Sequence, residues 1–415
     1  MRIRQVGRIL ATFTLLALAS AAVAEEWPAW RGPRGDGSST ETGVPLRWSG
    51  TENVAWKTPI PGKGHSSPIV WGDRLFVTTC AESARQRMLF CLDRRTGKVL
   101  WHRTVLEAPL EKKHRLNSFA SSTPATDGRH VWVTFLDRPH VRVVAYTVEG
   151  EEAWRVAPGE HHSMHGYSSS LIPYKDTIIL NADQDAELPN RAYIVALDGA
   201  TGKQRWRIDR PNRLRSYTPP VIFQAAGKMQ MVLSGCKCVA SYDPDTGRQH
   251  WIIDGPTEQF CASLVYTDGL FMMTGGFPEL HVIGIRPDGT GNVTDTHVAW
   301  HIESRKIASY VPSPIAHGKH FFVISDAGLA TCIEAKTGKV LWSERLGKHH
   351  SASPVSAEGR LYFPDDAGTM HVVRAGPEFE VLARNDLGEE CRASPAISRG
   401  RMFLRARNHL YAIGK

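Results

Sequence analysis

Apolar and polar positions alternate along this chain in short runs, and the runs recur in sets. Ser67-Pro68-Ile69-Val70, a turn at Gly72-Asp73, and Leu75-Phe76-Val77 form the plainest pair of runs. Runs this short, rich in β-branched residues and bounded by Gly and Asp, predict strands rather than helices. A complete set reads strand, Gly/Asp turn, strand, variable loop, strand, a second turn, and a last strand that carries tryptophan. The second turn and last strand are Leu92-Asp93-Arg94-Arg95-Thr96-Gly97-Lys98-Val99-Leu100-Trp101, and they return at 197–206, 242–251 and 333–342. Asp accepts hydrogen bonds from backbone amides two residues on and Gly supplies a positive φ, so the string has the chemistry of a chain reversal. Recurrence about every 45 residues means a stacked array whose units are read together.

Each set opens on a hydroxyl residue: Ser67, Thr123, Ser170, Thr218, Ser263, Ser313, Ser353 and Ser394. Eight such starts, each with four short antiparallel strands, predict an all-β fold, a single eight-bladed β-propeller over residues 53–415. Trp101, Trp154, Trp206, Trp251, Trp300 and Trp342 end six units; the seventh has Val381-Leu382 in that place, and the eighth stops after its third strand, Leu410 to Ile413. The missing strand is expected from Asn53-Val54-Ala55-Trp56-Lys57, so that pairing the two chain ends closes the ring. One flat indole per blade on the outer strand reads as packing between blades, not as a ligand site. Cys91 and Cys332 stand where Ala196 and Ser241 stand in other units, so they read as small core residues.

The N-terminus adds a location. Arg2, Arg4 and Arg8 precede an apolar run from Ile9 to Ala19, and Ala22-Val23-Ala24 fits a cleavage site, so residues 1–24 read as a signal peptide. That run is too short to span a bilayer and no other long apolar segment follows. The expected product is periplasmic or secreted, with no membrane span, and no cysteine follows the cleavage point to carry a lipid. Residues 25–52, opening on Trp27-Pro28-Ala29-Trp30-Arg31-Gly32-Pro33, read as a strap on the propeller surface. Losing three arginines lowers the formal charge from +8 to +5, and the remaining cations are scattered. The densest run, Lys112-Lys113-His114-Arg115, reads as a solvated loop, so nucleic acid is not an expected partner. Seven cysteines in an oxidising compartment permit disulfides but leave at least one unpaired within the chain, while Cys236 and Cys238 lack the second pair a metal knuckle needs.

The string Ala196-x-Asp198-x-x-x-Gly202-x-x-x-Trp206 resembles the tryptophan-docking repeat of pyrroloquinoline-quinone (PQQ)-like, quinoprotein-type eight-bladed propellers. Degenerate copies cover essentially the whole mature chain, and the Trp30-Arg31-Gly32-Pro33 opening is similar to that of exported bacterial members. The resemblance implies one of two roles. The first is a monomeric, non-enzymatic binding or scaffolding module for a small anionic or carbohydrate ligand, or for an envelope protein. The second is a PQQ-dependent sugar or alcohol dehydrogenase with PQQ and Ca²⁺, in which an Asp such as Asp183 would act as base and an Arg such as Arg215 would polarise the quinone. The chain departs from the dehydrogenase pattern in having no adjacent cysteines, no tryptophan in the mouth loops and no oxygen ligands that match a Ca²⁺ motif. A shared fold is only an analogy for function, so the binding module is the expected reading.

A propeller binds where the loops entering the inner strands and those joining second to third strands converge. Three residues before the hydroxyl position stand Gly64, Ala120, Tyr167, Arg215, Phe260, Tyr310, His350 and Cys391, a variable ring on a regular frame that predicts a shaped mouth. The same mouth is expected to receive His65, Asn117, Tyr217, Arg392, Arg405 and Arg407 together with Asp326, Asp365 and Asp366. Its arginines would favour a carboxylated or phosphorylated ligand through bidentate hydrogen bonds, and its tyrosines could stack on a ring. His161, His162 and His165 with Asp183 and Asp185 form the only constellation suited to a divalent transition ion.

Overall fold

The computed structural model describes residues 24–185, 192–210 and 214–415, so the signal-peptide expectation falls almost wholly outside the described residues. Eight antiparallel sheets follow one another along the chain and form an eight-bladed β-propeller. Blade 1 runs from Ile69 to Glu107, and blade 7 from Val355 to Asp386. Blade 8 holds Ala396–Ser398, Arg401–Arg405 and His409–Ile413, and Val54–Pro59 adds its outer strand, with Trp56 opposite Ala412. The ring therefore closes by pairing the two ends of the chain. Blade 4 departs from four strands: Gly291–Asn292 adds in parallel beside Gln249–Asp254. This extra strand covers Trp251, which is fully buried and donates from Nε1 to Gln230 Oε1 (2.9 Å) within its own blade.

The repeated turn and the repeated tryptophan explain one another. Asp93 Oδ1 accepts from Thr96 N (2.7 Å) and Thr96 Oγ1 (2.8 Å), and Asp198 repeats both bonds with Thr201. Gly97, Gly202, Gly247 and Gly338 then take φ between 72° and 75°, a region glycine enters without strain. A Cβ on Gly97 would lie 2.5 Å from the Trp56 ring, and one on Gly202 2.6 Å from Trp154. In five blades the indole thus lies on a glycine of the next. It also donates to that blade's backbone: Trp56 to Arg94 O (2.9 Å), Trp101 to Val148 O (3.1 Å), Trp154 to Gly199 O (3.0 Å), Trp206 to Pro244 O (3.1 Å) and Trp300 to Ala335 O (2.8 Å). Across the sheet each tryptophan faces a small residue, Trp101 opposite Cys91 and Trp342 opposite Cys332, which accounts for these two cysteines as spacers. All seven cysteines are free thiols.

The hydroxyl positions form two bonded arcs, buried around the axis. Ser67 N donates to Thr123 Oγ1 (3.1 Å), Thr123 N to Ser170 Oγ (3.0 Å), Ser263 N to Ser313 Oγ, Ser313 N to Ser353 Oγ and Ser353 N to Ser394 Oγ (each 2.9 Å). A hydroxyl there satisfies an amide that would otherwise be buried without a partner.

The strap is pinned to the ring by a few buried anchors. Trp27 is fully buried and Arg31 is 2% exposed. Trp27 exchanges backbone bonds with Val70, Pro28 O accepts from Thr126 N, Arg31 Nη2 donates to Pro314 O (2.6 Å), and Gly37 O accepts from Ser356 N. These partners sit in or beside inner strands of blades 1, 2, 6 and 7, so the strap crosses the ring at the end away from the loops that enter those strands. Trp48 continues it into the core between blades 7 and 8, stacked 6.5 Å from Tyr362, on the blade whose outer strand lacks tryptophan.

Candidate anion site at the mouth of the propeller

Six of the residues expected at the mouth, Gly64, His65, Asn117, Arg392, Arg405 and Arg407, meet in one cavity of about 580 Å³. His65 lies on the loop entering blade 1 and Arg392 on the loop entering blade 8, while Arg405 and Arg407 lie where the second strand of blade 8 turns into the third. The loop entering blade 2 holds the expected Asn117 and adds Lys113, Arg115 and Phe119, and Lys63, Glu82 and Glu390 complete the charged lining. The Lys112–Arg115 run, read from the sequence as a solvated loop, is largely exposed, and its Lys113 and Arg115 edge this cavity. Lys113 Nζ donates to Asn117 O (2.7 Å) and lies 5.0 Å from the centre of the Phe119 ring. The density of cations in that run was the one available signal, and no periodicity supports it because the loop is not part of the repeat.

Arg405 ends the strand Arg401–Arg405 and is 1% exposed. Its Nε, Nη1 and Nη2 have no hydrogen-bond partner. Arg31 and Arg215 also have an unbonded Nε, but each is anchored through another nitrogen, Arg31 to Pro314 O and Arg215 to Asp185 Oδ1 (2.9 Å). Burial pushes the Arg405 guanidinium down to about 10, against the opposing pull of Glu389 and Cys391, so it still carries its charge at neutral pH. A charged fork held out of water with its donors unmet costs several kcal/mol, on the order of 2–5, unless something pairs with it. Beside it, burial followed by the charges of Arg392, Lys113 and Arg405 holds His65 down to about 4, so this imidazole is neutral at pH 7.

Part of the lining is already compensated. Lys63 Nζ is 3.6 Å from Glu82 Oε2, Arg407 Nη1 is 3.2 Å from Glu390 Oε2, and Arg392 Nε is 3.8 Å from Asp366 Oδ2. Lys113, Arg115 and Arg405 have no carboxylate partner among the described residues.

The remaining residues of the variable ring are placed differently. Tyr167, Phe260 and His350 are 4%, 0% and 2% exposed, packed between blades rather than facing a mouth. Tyr167 OH bonds Thr134 Oγ1 (2.8 Å) and His350 Nδ1 donates to Pro364 O (2.8 Å). Ala120 and Cys391 are equally buried, so the variation at this position reflects the different wedge each blade pair must fill. Tyr217 OH bonds Ser163 Oγ (2.8 Å), and Tyr310 OH accepts from Gln259 Nε2 while its amide donates to Asp326 Oδ2 (2.6 Å).

The five residues expected to hold a metal are not brought together, and no group of three or more His, Cys, Asp or Glu suited to a metal ion exists among the described residues. His161 is 1% exposed, with neither ring nitrogen bonded, edge-on to Tyr167 at 5.2 Å. His162 Nε2 meets Glu160 Oε2 (3.3 Å), and His165 packs edge-on against His114 at 5.6 Å. Asp183 is fully buried and takes Arg210 Nε (3.0 Å), an arginine that also donates to Tyr242 OH (2.7 Å) and Gly235 O (2.9 Å). The two residues to which the quinoprotein resemblance gives roles, Asp183 and Arg215, are therefore committed to other side chains. The cavity supplies cations for the carboxylates of PQQ, but its two carboxylates face lysine and arginine, which leaves Ca²⁺ without the oxygen set it requires. The residues present do not fit the metal–quinone pair.

Solved structures that share this fold include the following three. BamB from Moraxella catarrhalis is 12% identical with a TM-score of 0.60, over 87% of this chain and 97% of that one. Quinohemoprotein alcohol dehydrogenase from Comamonas testosteroni is 13% identical with a TM-score of 0.65, over 94% and 81%. A europium-containing methanol dehydrogenase is 12% identical with a TM-score of 0.52, over 92% and 89%. At such identities the likeness establishes the fold alone. No curated protein matches the chain. The sequence family described as outer membrane protein assembly factor BamB matches residues 46–208, 140–299 and 238–378, and on that span the chain belongs to this family of PQQ-like propellers.

Proposed function

We propose that this protein is an exported, non-enzymatic binding module whose mouth takes a small anionic ligand. The observation that carries the reading is Arg405, buried, charged and with no nitrogen bonded, on the wall of a cavity of about 580 Å³. A cavity of this size accommodates a small molecule, and a guanidinium with an unmet fork matches a carboxylate or phosphate bidentately. The neutral His65 and the uncompensated Lys113 and Arg115 support the same charge preference. Membership in a family described by an assembly factor agrees with a role in binding, and the Ala22-Val23-Ala24 site agrees with export.

Arg405→Met tests the reading directly. A residue kept for ligand binding is expected to weaken anion binding at least about tenfold on replacement while the protein gains stability, by about 1–3 kcal/mol, because an unpaired buried charge is removed. Calorimetric titration with inorganic phosphate and with citrate, beside thermal unfolding of the same samples, measures both. Unchanged binding, or a large loss of stability, would make Arg405 a structural residue. The dehydrogenase alternative is tested separately, by dye reduction with alcohols and aldoses after adding PQQ and Ca²⁺, and turnover there would displace the binding reading.

A further inference from the structure

The charge distribution in the mouth narrows the ligand, on the assumption that the mouth is an anion site as proposed above. Six cations and two carboxylates line the cavity. Two of the cations, Lys63 and Arg407, face those carboxylates, and Arg392 leans to Asp366 outside the lining. Three remain: Arg405 on the blade 8 side, and Lys113 and Arg115 on the loop from blade 2. They come from different blades, so they approach the space from different directions. A ligand with one anionic group placed on Arg405 would leave Lys113 and Arg115 facing it uncompensated. His65, held neutral chiefly by burial and further by Arg392, Lys113 and Arg405, adds no charge to this set. The Phe119 ring, with Lys113 Nζ over it, offers the one large apolar surface in the lining for a compact ligand body.

We propose that the ligand of the mouth is a small polyanion, a molecule that carries two or more phosphoryl or carboxyl groups, one seated on Arg405 and another on the Lys113–Arg115 loop. Phosphoryl and carboxyl groups both satisfy a guanidinium, and separate probes distinguish them.

The test titrates the purified protein with pyrophosphate, citrate, phosphate and acetate at one fixed ionic strength, since exposed charge attraction is screened by salt. Pyrophosphate or citrate is expected to bind at least about tenfold more tightly than phosphate or acetate, and which of the two does so identifies the group. The double variant Lys113→Met/Arg115→Met lies on an exposed loop and is expected to fold as the parent does, while bringing pyrophosphate and citrate down to the affinity of the single-group anions. Equal affinity for one-group and multi-group anions, or no effect of the double variant, would overturn the polyanion while leaving an anion site at Arg405. If no anion binds to the parent, the reading of the mouth as an anion site fails first and the polyanion with it.

Discussion

Three histidines show what burial does to a base. His65, His161 and His350 are each held down to about 4, with burial as the largest cause, and His161 is also beside His162. The unfolded chain binds a proton on each near the ordinary value of 6.5, whereas the folded chain does not until about 4. Between these limits the unfolded state holds more protons, so stability rises with pH across the window and falls as the solution is acidified from about 6.5 towards 4. For His161, fully enclosed and unbonded, the loss approaches on the order of 3 kcal/mol at the acid end. His161→Leu is expected to flatten that part of the curve and to leave stability at pH 8 within about 1 kcal/mol of the parent. Denaturant midpoints at a series of pH values check it, and parallel curves for the two proteins would refute the assignment. The same residue is a metal candidate by its sequence neighbours. Its proximity to other histidines is real, but a side chain that points into a blade contact cannot coordinate with neighbours that point elsewhere.

At the level of the element, the turn and the indole act as one unit spread over two blades. Trp56 rests on Gly97 and donates to Arg94 O (2.9 Å), so a change in either residue alters the same contact. Trp56→Ala is expected to cost about 3–5 kcal/mol, and Gly97→Ala, forced to φ 72° with its methyl against the ring, about 1–3 kcal/mol. Because the methyl of Gly97→Ala no longer strikes the indole once Trp56 is replaced, and meets only Thr58 Oγ1, the double variant is expected to lose at least about 0.5 kcal/mol less than the sum. Strict additivity in urea unfolding would show that the indole does not lie on that turn in solution. This unit is legible in the sequence, since the Asp-x-x-Thr-Gly spacing names its own hydrogen bonds. The fifth strand of blade 4 is not, because Gly291-Asn292 has no apolar alternation and pairs in parallel with a strand it only meets after the ring forms.

For the molecule as a whole, the decisive contacts are those between distant parts of the chain. Val54–Pro59 completes blade 8, and the strap reaches blades 1, 2, 6, 7 and 8. If processing occurs after Ala24 as proposed, the new terminus is Glu25, whose nitrogen lies 2.5 Å from Glu41 Oε1. Processing would then turn an amide contact into an ion pair at the start of the strap. A chain beginning at Glu25 is expected to be about 1 kcal/mol more stable than one with an extra residue before it, and Glu41→Gln is expected to erase the difference. Thermal unfolding of the four proteins measures this, and a difference that survives Glu41→Gln would exclude the pair. The same scale governs the mouth. Lys113 and Arg115 are far in sequence from Arg392 and Arg405, and the ends of blades 2 and 8 that carry them come together only when the ring is closed.

What the sequence determined by itself was the repeat. Strand period, turn chemistry, the hydroxyl and tryptophan positions, the eight blades and the closing role of Trp56 all follow from local spacing, because each rests on hydrogen bonds or contacts repeated once per unit. Arg392, Arg405, Arg407 and His65 were also placed at the mouth, by counting residues from that repeat. Tertiary structure alone decided which of the mouth residues face a shared space. It turned Tyr167, Phe260 and His350 into wedges between blades, committed Asp183 to Arg210, brought Lys113 and Arg115 to the edge of the cavity, and left Arg405 without a partner. The physical reason is that direction and burial of a side chain depend on the neighbouring blade, and nothing in the spacing of one blade records the shape of the next.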